Sequence, residues 1–380
     1  MCVHLHRIFR VYIYILFAMQ VNIFRILLMG LFIAFSFKGY ALNKEETKEG
    51  EDEKYDPKEM IMHHVKDAHE FHILDWNGAP ISISLPIILW TDNGLTTFMS
   101  SEFHHDDSGS VIVEKDGAKF VKLHEKIYQL NSEAQELAFD EDHHPTNAIK
   151  PLDFSITRNV FMMWVSVIVL LLIFISTARR YKKSDNNIPT GIARFIEPLV
   201  VFVKEEIAIP MIGEHRYKKY MPFLLTIFFF IWINNVFGLI PIINGANVSG
   251  NIAFTMTLAV FTFIITTVSA NKNYWKHIFW MPGVPIPMKI FLIPIELIGM
   301  FVKPIALMIR LFANITAGHI IILALVSLIF IFKSIAVAPV SMAFILFITI
   351  IEIIVTAIQA YIFTVLSALY FGMATEEEHH

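Results

Sequence analysis

The stretch IFLIPIELIGMFVKPIALMIRLFANITAGHIIILALVSLIFIF, residues 290–332, is a long, mainly apolar helical run with no obvious turn in its interior. Residues 336–373 form a second run of the same kind. Each holds around 40 residues, and at ~1.5 Å per residue a helix of that length extends roughly 60 Å. The hydrocarbon core of a bilayer is ~30 Å thick, so neither helix stands upright in it. Two strongly tilted helices, packed as an αα-hairpin around Lys333-Ser334, satisfy the length and keep every backbone group bonded. Four shorter upright spans are the alternative, but the breaks they need are missing.

The polar residues inside these runs carry the next inference. The first run contains Glu296, Lys303, Arg310 and His319, and the second contains Glu352 and Gln359. A charge at the centre of a membrane helix costs at least ~2.5–3.5 kcal/mol on insertion scales. A string of them therefore implies a water-filled path or a protein partner; an ion-pair network that only ties the helices together is the alternative. At ~100° per residue, Glu296 and Asn314 fall within about 40° of Arg310, while His319 lies on roughly the opposite side. Glu352 and Gln359, seven residues apart, share a face of the second helix.

Working back toward the N-terminus, the whole membrane half takes shape. The 380-residue chain is 55% hydrophobic with a mean hydropathy of +0.57, above the roughly 45–50% apolar content of soluble proteins. Phe161 to Ser176 is apolar and ends at Arg179-Arg180-Tyr181-Lys182-Lys183, a basic stop that marks the cytoplasmic side. Residues 191–219 mix Arg194, Lys204, Arg216, Lys218 and Lys219 with apolar residues and two prolines, and read as an interfacial segment along the cytoplasmic face. Two shorter spans follow, about Pro222–Ile240 and Ile252–Ala270. The uncharged turn between them, Pro241 to Asn251, is placed outside by Lys272, Lys276 and Lys289 downstream.

The N-terminal part is of another character. Ile26 to Phe37 is an apolar run after Arg25 and before Lys38-Gly39-Tyr40-Ala41, which fits a signal peptide cleaved after Ala41, with Met19 as an alternative start. An uncleaved anchor is the competing reading, for which the run is short. Residues 42–156 are polar and acidic, with Glu45-Glu46 to Glu51-Asp52-Glu53 solvated. Ile81-Ser82-Ile83-Ser84-Leu85 alternates as a strand does, and Val111-Ile112-Val113 with Lys119-Phe120-Val121 flank Asp116-Gly117 as a hairpin. The expectation is a small extracytoplasmic β-rich domain ahead of a membrane domain over 157–380. If 59–72 is helical, His69 and His72 are one turn apart and can share a metal with Asp67 or Glu70. A hydrated surface of histidines, with His63, His64, His104-His105 and His143-His144, is the plainer reading and the one preferred here. The single cysteine, Cys2, excludes a disulfide framework, a thiolate metal site and a Cys-based redox centre.

The sequence from Pro294-Ile295-Glu296-Leu297-Ile298 through Lys303-Pro304-Ile305-Ala306-Leu307-Met308-Ile309-Arg310-Leu311-Phe312-Ala313-Asn314-Ile315-Thr316-Ala317-Gly318-His319 resembles, in order and spacing, the signature of F-type ATP synthase a-subunits. Tyr217-Lys218-Lys219-Tyr220-Met221-Pro222-Phe223 with Asn234-Asn235-Val236-Phe237-Gly238-Leu239-Ile240-Pro241 is similar too. So are Gln359-Ala360-Tyr361-Ile362-Phe363-Thr364-Val365-Leu366 and the closing Met373 to His379. The resemblance covers about residue 155 to the end. It implies an all-α polytopic membrane protein of the bacterial inner membrane that gives protons two half-channels to a rotating ring of c-subunits. By the same resemblance Arg310 is the essential arginine facing the ring, with Asn314 and Gln359 as polar neighbours. His319 and Glu352 look like the half-channel pair, in the order of mitochondrial-type members and reversed from some bacterial ones. Glu296 matches an acid of the motif, where helix packing and proton relay are equally open. The implied partners are the c-subunit ring, the b-subunit peripheral stalk, the remaining ATP synthase subunits and the lipid bilayer. No cofactor, metal or nucleic acid is expected. Residues 1–156 depart from the short N-terminus of most members, so their function is not inherited.

No Walker A sequence occurs, so nucleotide chemistry by that route is not expected, and proton transfer is. A stand-alone secondary transporter would show duplicated halves, which are not seen. A membrane-anchored metal sensor would need an output domain beyond its helices. Co-purification with a ring of c-subunits separates the three readings.

Overall fold

Long uninterrupted apolar runs can satisfy their backbone in lipid only as helices, and among the described residues five helices are long and apolar enough to cross a membrane. The computed structural model describes residues 66–76, 79–131, 134, 136–140, 145–183, 191–240, 248–281, 284–332 and 337–376. The proposed signal peptide, His63, His64, His143, His144, the Lys333-Ser334 connection and the terminal histidines lie outside them. In chain order the helices are α1 (Arg158–Lys183), α2 (Ile192–Phe202), α3 (Ile209–Ile212), α4 (Tyr217–Leu239), α5 (Ile252–Ser269), α6 (Lys272–Phe279), α7 (Ile286–Phe332) and α8 (Ala338–Thr375).

The two long runs are single helices. α7 continues for 47 residues through Pro294 and Pro304, and α8 for 38, so the alternative of four short spans is set aside. At 1.5 Å per residue α7 is ~70 Å long. The 191–219 segment forms α2, a π-helical turn over Val203–Ala208, and α3, none of which is one of the five. It buries Ile196, Val203, Ile207 and Ile212 with Leu224 and Ile231 of α4, Leu307 and Leu311 of α7, and Phe363 and Phe371 of α8. The end of α8 is fastened twice. Gly372 lets it approach so closely that a Cβ there would overlap the Met211 carbonyl. Asn271, ahead of α6, donates from its backbone N–H to Ala374 O at 2.8 Å and from Nδ2 to Thr375 O at 2.9 Å.

Among the described residues, nine short strands in three antiparallel sheets come before the helices: β1 (Glu70–Trp76) with β2 (Ala79–Ser84), then the order β4 (Gly94–Met99), β3 (Pro86–Thr91), β9 (Leu152–Asp153), and finally β5 (Val113–Lys115), β6 (Ala118–Leu123), β7 (Lys126–Leu130), β8 (Ala148–Ile149). The hairpin read at Asp116-Gly117 forms, with φ of 51° and 75° at its two corner residues, the sign that two-residue turns of this hand require. Ile87, Leu89, Phe98, Phe103, Phe120 and Ile127 bury a common apolar core. A second cluster of Phe71, Leu85, Met162 and Val248 joins the strands to α1 and to the turn before α5, with the Phe71 and Phe161 rings 5.5 Å apart.

The helical reading of 59–72 does not survive for its C-terminal part. β1 begins at Glu70, so the one-turn spacing that was to give His69 and His72 a shared metal is not formed. The preferred reading of a hydrated surface fails for His69 as well, because its side chain is buried.

Candidate functional site

Leu307, Leu311 and Ile315 recur at four-residue spacing and turn one face of α7 into the core. Arg310 lies off that stripe and is exposed, as are Ala306, Ala313, Asn314 and Ala317. The arginine therefore sits on a face of α7 that the described residues leave uncovered and that small side chains keep low. Among the described residues no carboxylate forms an ion pair with it. Asn314 is one turn further along the same face. Gln359, by contrast, is buried on α8 at 5% exposure.

Toward the C-terminal side of Arg310, α8 brings an acid onto α7. The Glu352 carboxylate occupies the space that a Cβ at Gly318 would fill, next in sequence to His319. Glu352 Oε2 and Thr316 Oγ1 are buried with no hydrogen-bond partner among the described residues. Both are polar atoms that a water or a proton can satisfy. His319 is half-buried and within electrostatic reach of Arg158, the first residue of α1.

Toward the N-terminal side of Arg310 lies a second polar group. Glu296 is within electrostatic reach of Tyr274 on α6, whose phenol is raised above its ordinary value by burial and by that carboxylate. Lys303 Nζ stands 5.8 Å from the Tyr370 ring centroid, and Arg310 is within reach of the same tyrosine. Thr262, Thr266, Tyr274, Lys303 and Tyr370 line a small cavity here. At 1.5 Å per residue Arg310 is ~21 Å along α7 from Glu296 and ~13 Å from His319. One permanent cation thus stands between two separate sets of exchangeable groups.

Three further features escaped the sequence reading. Ser166 Oγ donates to Asn234 Oδ1 at 2.8 Å and joins α1 to α4, while both amide atoms of Asn235 are buried without a partner among the described residues. Tyr274 and Tyr370 were passed over as ordinary aromatics. Arg158 had a signal that was not used: it is a single cation at the end of its helix opposite the basic cluster of Arg179, Arg180 and Lys182.

Comparison with known proteins identifies the family. The family model described as ATP synthase A chain matches residues 160–372, and one described as a domain of unknown function matches residues 60–154. The chain is 48% identical over 244 residues to ATP synthase subunit a of Chloroherpeton thalassium, covering 63% of this chain and 72% of that protein. It is 46% identical over 272 residues to ATP synthase subunit a of Chlorobium phaeobacteroides, covering 70% and 78%. With ATP synthase subunit a of Myxococcus xanthus it shares 41% over 235 residues, covering 60% and 76%. A match over more than half of its length, together with five membrane-capable helices and an uncovered arginine on the longest of them, makes this chain a member of the ATP synthase subunit a family.

Proposed function

We propose that the chain is the proton-translocating a-subunit of an F-type ATP synthase, with two half-channels that open onto a ring of c-subunits and Arg310 as the gate between them. The observation that carries this reading is the position of Arg310, exposed on α7 between the His319/Glu352 group and the Glu296/Tyr274 group. A guanidinium stays protonated even where solvent is poor, so it cannot hand a proton across. Facing the ring, it favours the ionised form of whichever c-subunit carboxylate stands opposite. That carboxylate loses its proton to one half-channel and takes another from the second, and each proton falling through 100 mV contributes ~2.3 kcal/mol.

The direction follows from the basic end of α1. Arg179, Arg180, Lys182 and Lys183 mark the cytoplasmic side, so Arg158 and the strands before it lie outside. His319, within reach of Arg158, belongs to the extracytoplasmic half-channel, and Glu296 with Tyr274, Lys303 and Tyr370 to the cytoplasmic one. The partners in this reading are the c-ring on the open face of α7, the b-subunit peripheral stalk and the remaining synthase subunits, in a bacterial inner membrane. ATP-driven acidification of vesicles holding the assembled enzyme, measured with and without sodium, tests it. Acidification independent of sodium and lost with Arg310→Ala supports the reading; sodium-dependent pumping, or acidification that survives Arg310→Ala, overturns it.

A further inference from the structure

We infer that the strand region before the helices carries a proton-exchange station, centred on His69 and Glu125, that feeds the extracytoplasmic half-channel. This inference rests on the half-channel reading above and assigns a role to a region the family resemblance leaves without one.

The station is a cluster of titratable groups drawn from five parts of the chain, with His69, Lys122, Glu125 and Arg158 buried and Asp67 and Asp153 partly exposed. His69 is 3% exposed. Its Nε2 is hydrogen-bonded to Asp153 Oδ2 of β9 at 3.0 Å. Its Nδ1 is buried with no hydrogen-bond partner among the described residues and is 4.0 Å from Glu125 Oε2. Glu125 lies in the turn after β6, where the His69 backbone N–H donates to it at 3.3 Å and Lys122 Nζ stands 3.8 Å away. Arg158 is within electrostatic reach of Glu125, Asp67 and His319. It donates from Nη2 to Lys66 O at 2.9 Å. Asp67 accepts from Thr157 Oγ1 at 2.8 Å and from the Asn159 backbone N–H at 3.0 Å. Polar groups thus run from the strands to the start of α1, where Arg158 stands within electrostatic reach of His319. Asn159 Oδ1 and Ser249 Oγ beside it are likewise buried without partners among the described residues.

Two physical arguments favour exchange over mere attachment. A buried set of ions is a poor fastener, because apolar residues of the same volume generally hold at least as well, and Phe71, Leu85, Met162 and Val248 already fasten the strands here. The charge count also matters. Asp67, Glu125, Asp153 and Asp107, which accepts from the Glu125 backbone N–H at 2.6 Å, outnumber Lys122 and Arg158 by two, so a proton on His69 halves the excess negative charge and the acids favour its arrival. The imidazole takes that proton at Nδ1 and releases it again, to Glu125 or to water on the way to His319. The proton that arrives is the proton that leaves, and Arg158 keeps its own throughout.

The test uses assembled membrane sectors stripped of the catalytic head, in vesicles with the strand region facing the bath. Passive proton conductance is measured across external pH from mildly acidic to alkaline. In Glu125→Gln and His69→Gln, conductance should fall several-fold on the alkaline side, where protons are scarce. It should approach the wild-type value on the acidic side, so the whole profile moves to lower pH. Profiles that superimpose on wild type would overturn the inference, and so would failure of both variants to assemble, which would make the cluster a docking element. Glu352→Gln is run in parallel, because the half-channel reading requires it to conduct less than wild type at every pH, by a fraction that does not recover on the acidic side. If Glu352→Gln conducts normally, that reading falls; if it fails while both cluster variants match wild type, only the present inference falls.

Discussion

The Glu352 carboxylate of α8 lies against Gly318 of α7, in the space where any other residue would put its Cβ. A glycine in the middle of a helix is usually a cost. Here it admits an acid to the surface of the neighbouring helix, one residue from His319. Gly318→Ala should leave the complex assembled while displacing the carboxylate, and proton conductance should fall several-fold. Shortening the acid with Glu352→Asp in the same chain should restore part of it. Conductance that is unchanged in Gly318→Ala would show that the position of the acid is immaterial.

Arg310→Ala should abolish ATP synthesis in assembled enzyme, because it removes both the permanent charge facing the ring and the barrier between the two polar groups. Arg310→Lys should fail as well, since an ammonium lacks the planar fork and can deprotonate when desolvated. Reconstituted vesicles assayed for synthesis and passive leak decide the matter, and near-normal synthesis by the alanine variant would refute the gate.

His319→Ala and Glu352→Ala should be milder. Water can carry a proton past one missing group, so each should keep a measurable fraction of wild-type flux, whereas the double variant should lose nearly all of it. Flux in the double variant equal to that of either single would mean that the two residues do not serve one path.

Acid should loosen the strand region. Burial pushes the Asp153 carboxyl upward, but hydrogen bonds from His69 and Ser155 outweigh it and hold the group below its ordinary value. A carboxyl depressed in the folded state contributes stability above its unfolded value of ~3.9, and that contribution is lost as pH falls through the lower folded value. Limited proteolysis of the assembled complex should find the strands protected at neutral pH and progressively cut as pH drops below about 4. Asp153→Asn should flatten this dependence; the same acid transition in both proteins would count against the pair.

Gly372→Ala tests the packing of α8 at its far end. The added methyl would meet the Met211 carbonyl, and crowding of this kind costs roughly 1–3 kcal/mol. Thermal unfolding of the purified complex should shift downward while conductance per assembled complex stays the same. An unchanged transition would show that α3 simply moves aside.

Much of this was legible beforehand, for physical reasons. α7 and α8 were readable because lipid leaves the backbone no choice but helix, and a run with no breaks has one solution. Arg310, His319 and Glu352 stood out because a charge in an apolar run has no structural excuse. The cluster at His69 was not readable. Its members, at positions 67, 69, 122, 125, 153 and 158, come together only through strand pairing, and the i, i+3 spacing of His69 and His72 pointed to a helix that the alternating residues of β1 forbid. Arg158 joins them only because the strand region folds back over the start of α1, where its backbone N–H donates to Ala68 O at 2.8 Å.

The open face of α7 has a bearing on the life of the chain before it reaches its complex. A cation held on an uncovered helix costs a membrane at least ~2.5–3.5 kcal/mol, and among the described residues no acid pairs with Arg310 to offset this. The solitary subunit is therefore an orphan that the bilayer tolerates poorly, and proteases that survey membranes for loosely held helices would find it first. Its lifetime should be set by how soon another protein covers that arginine.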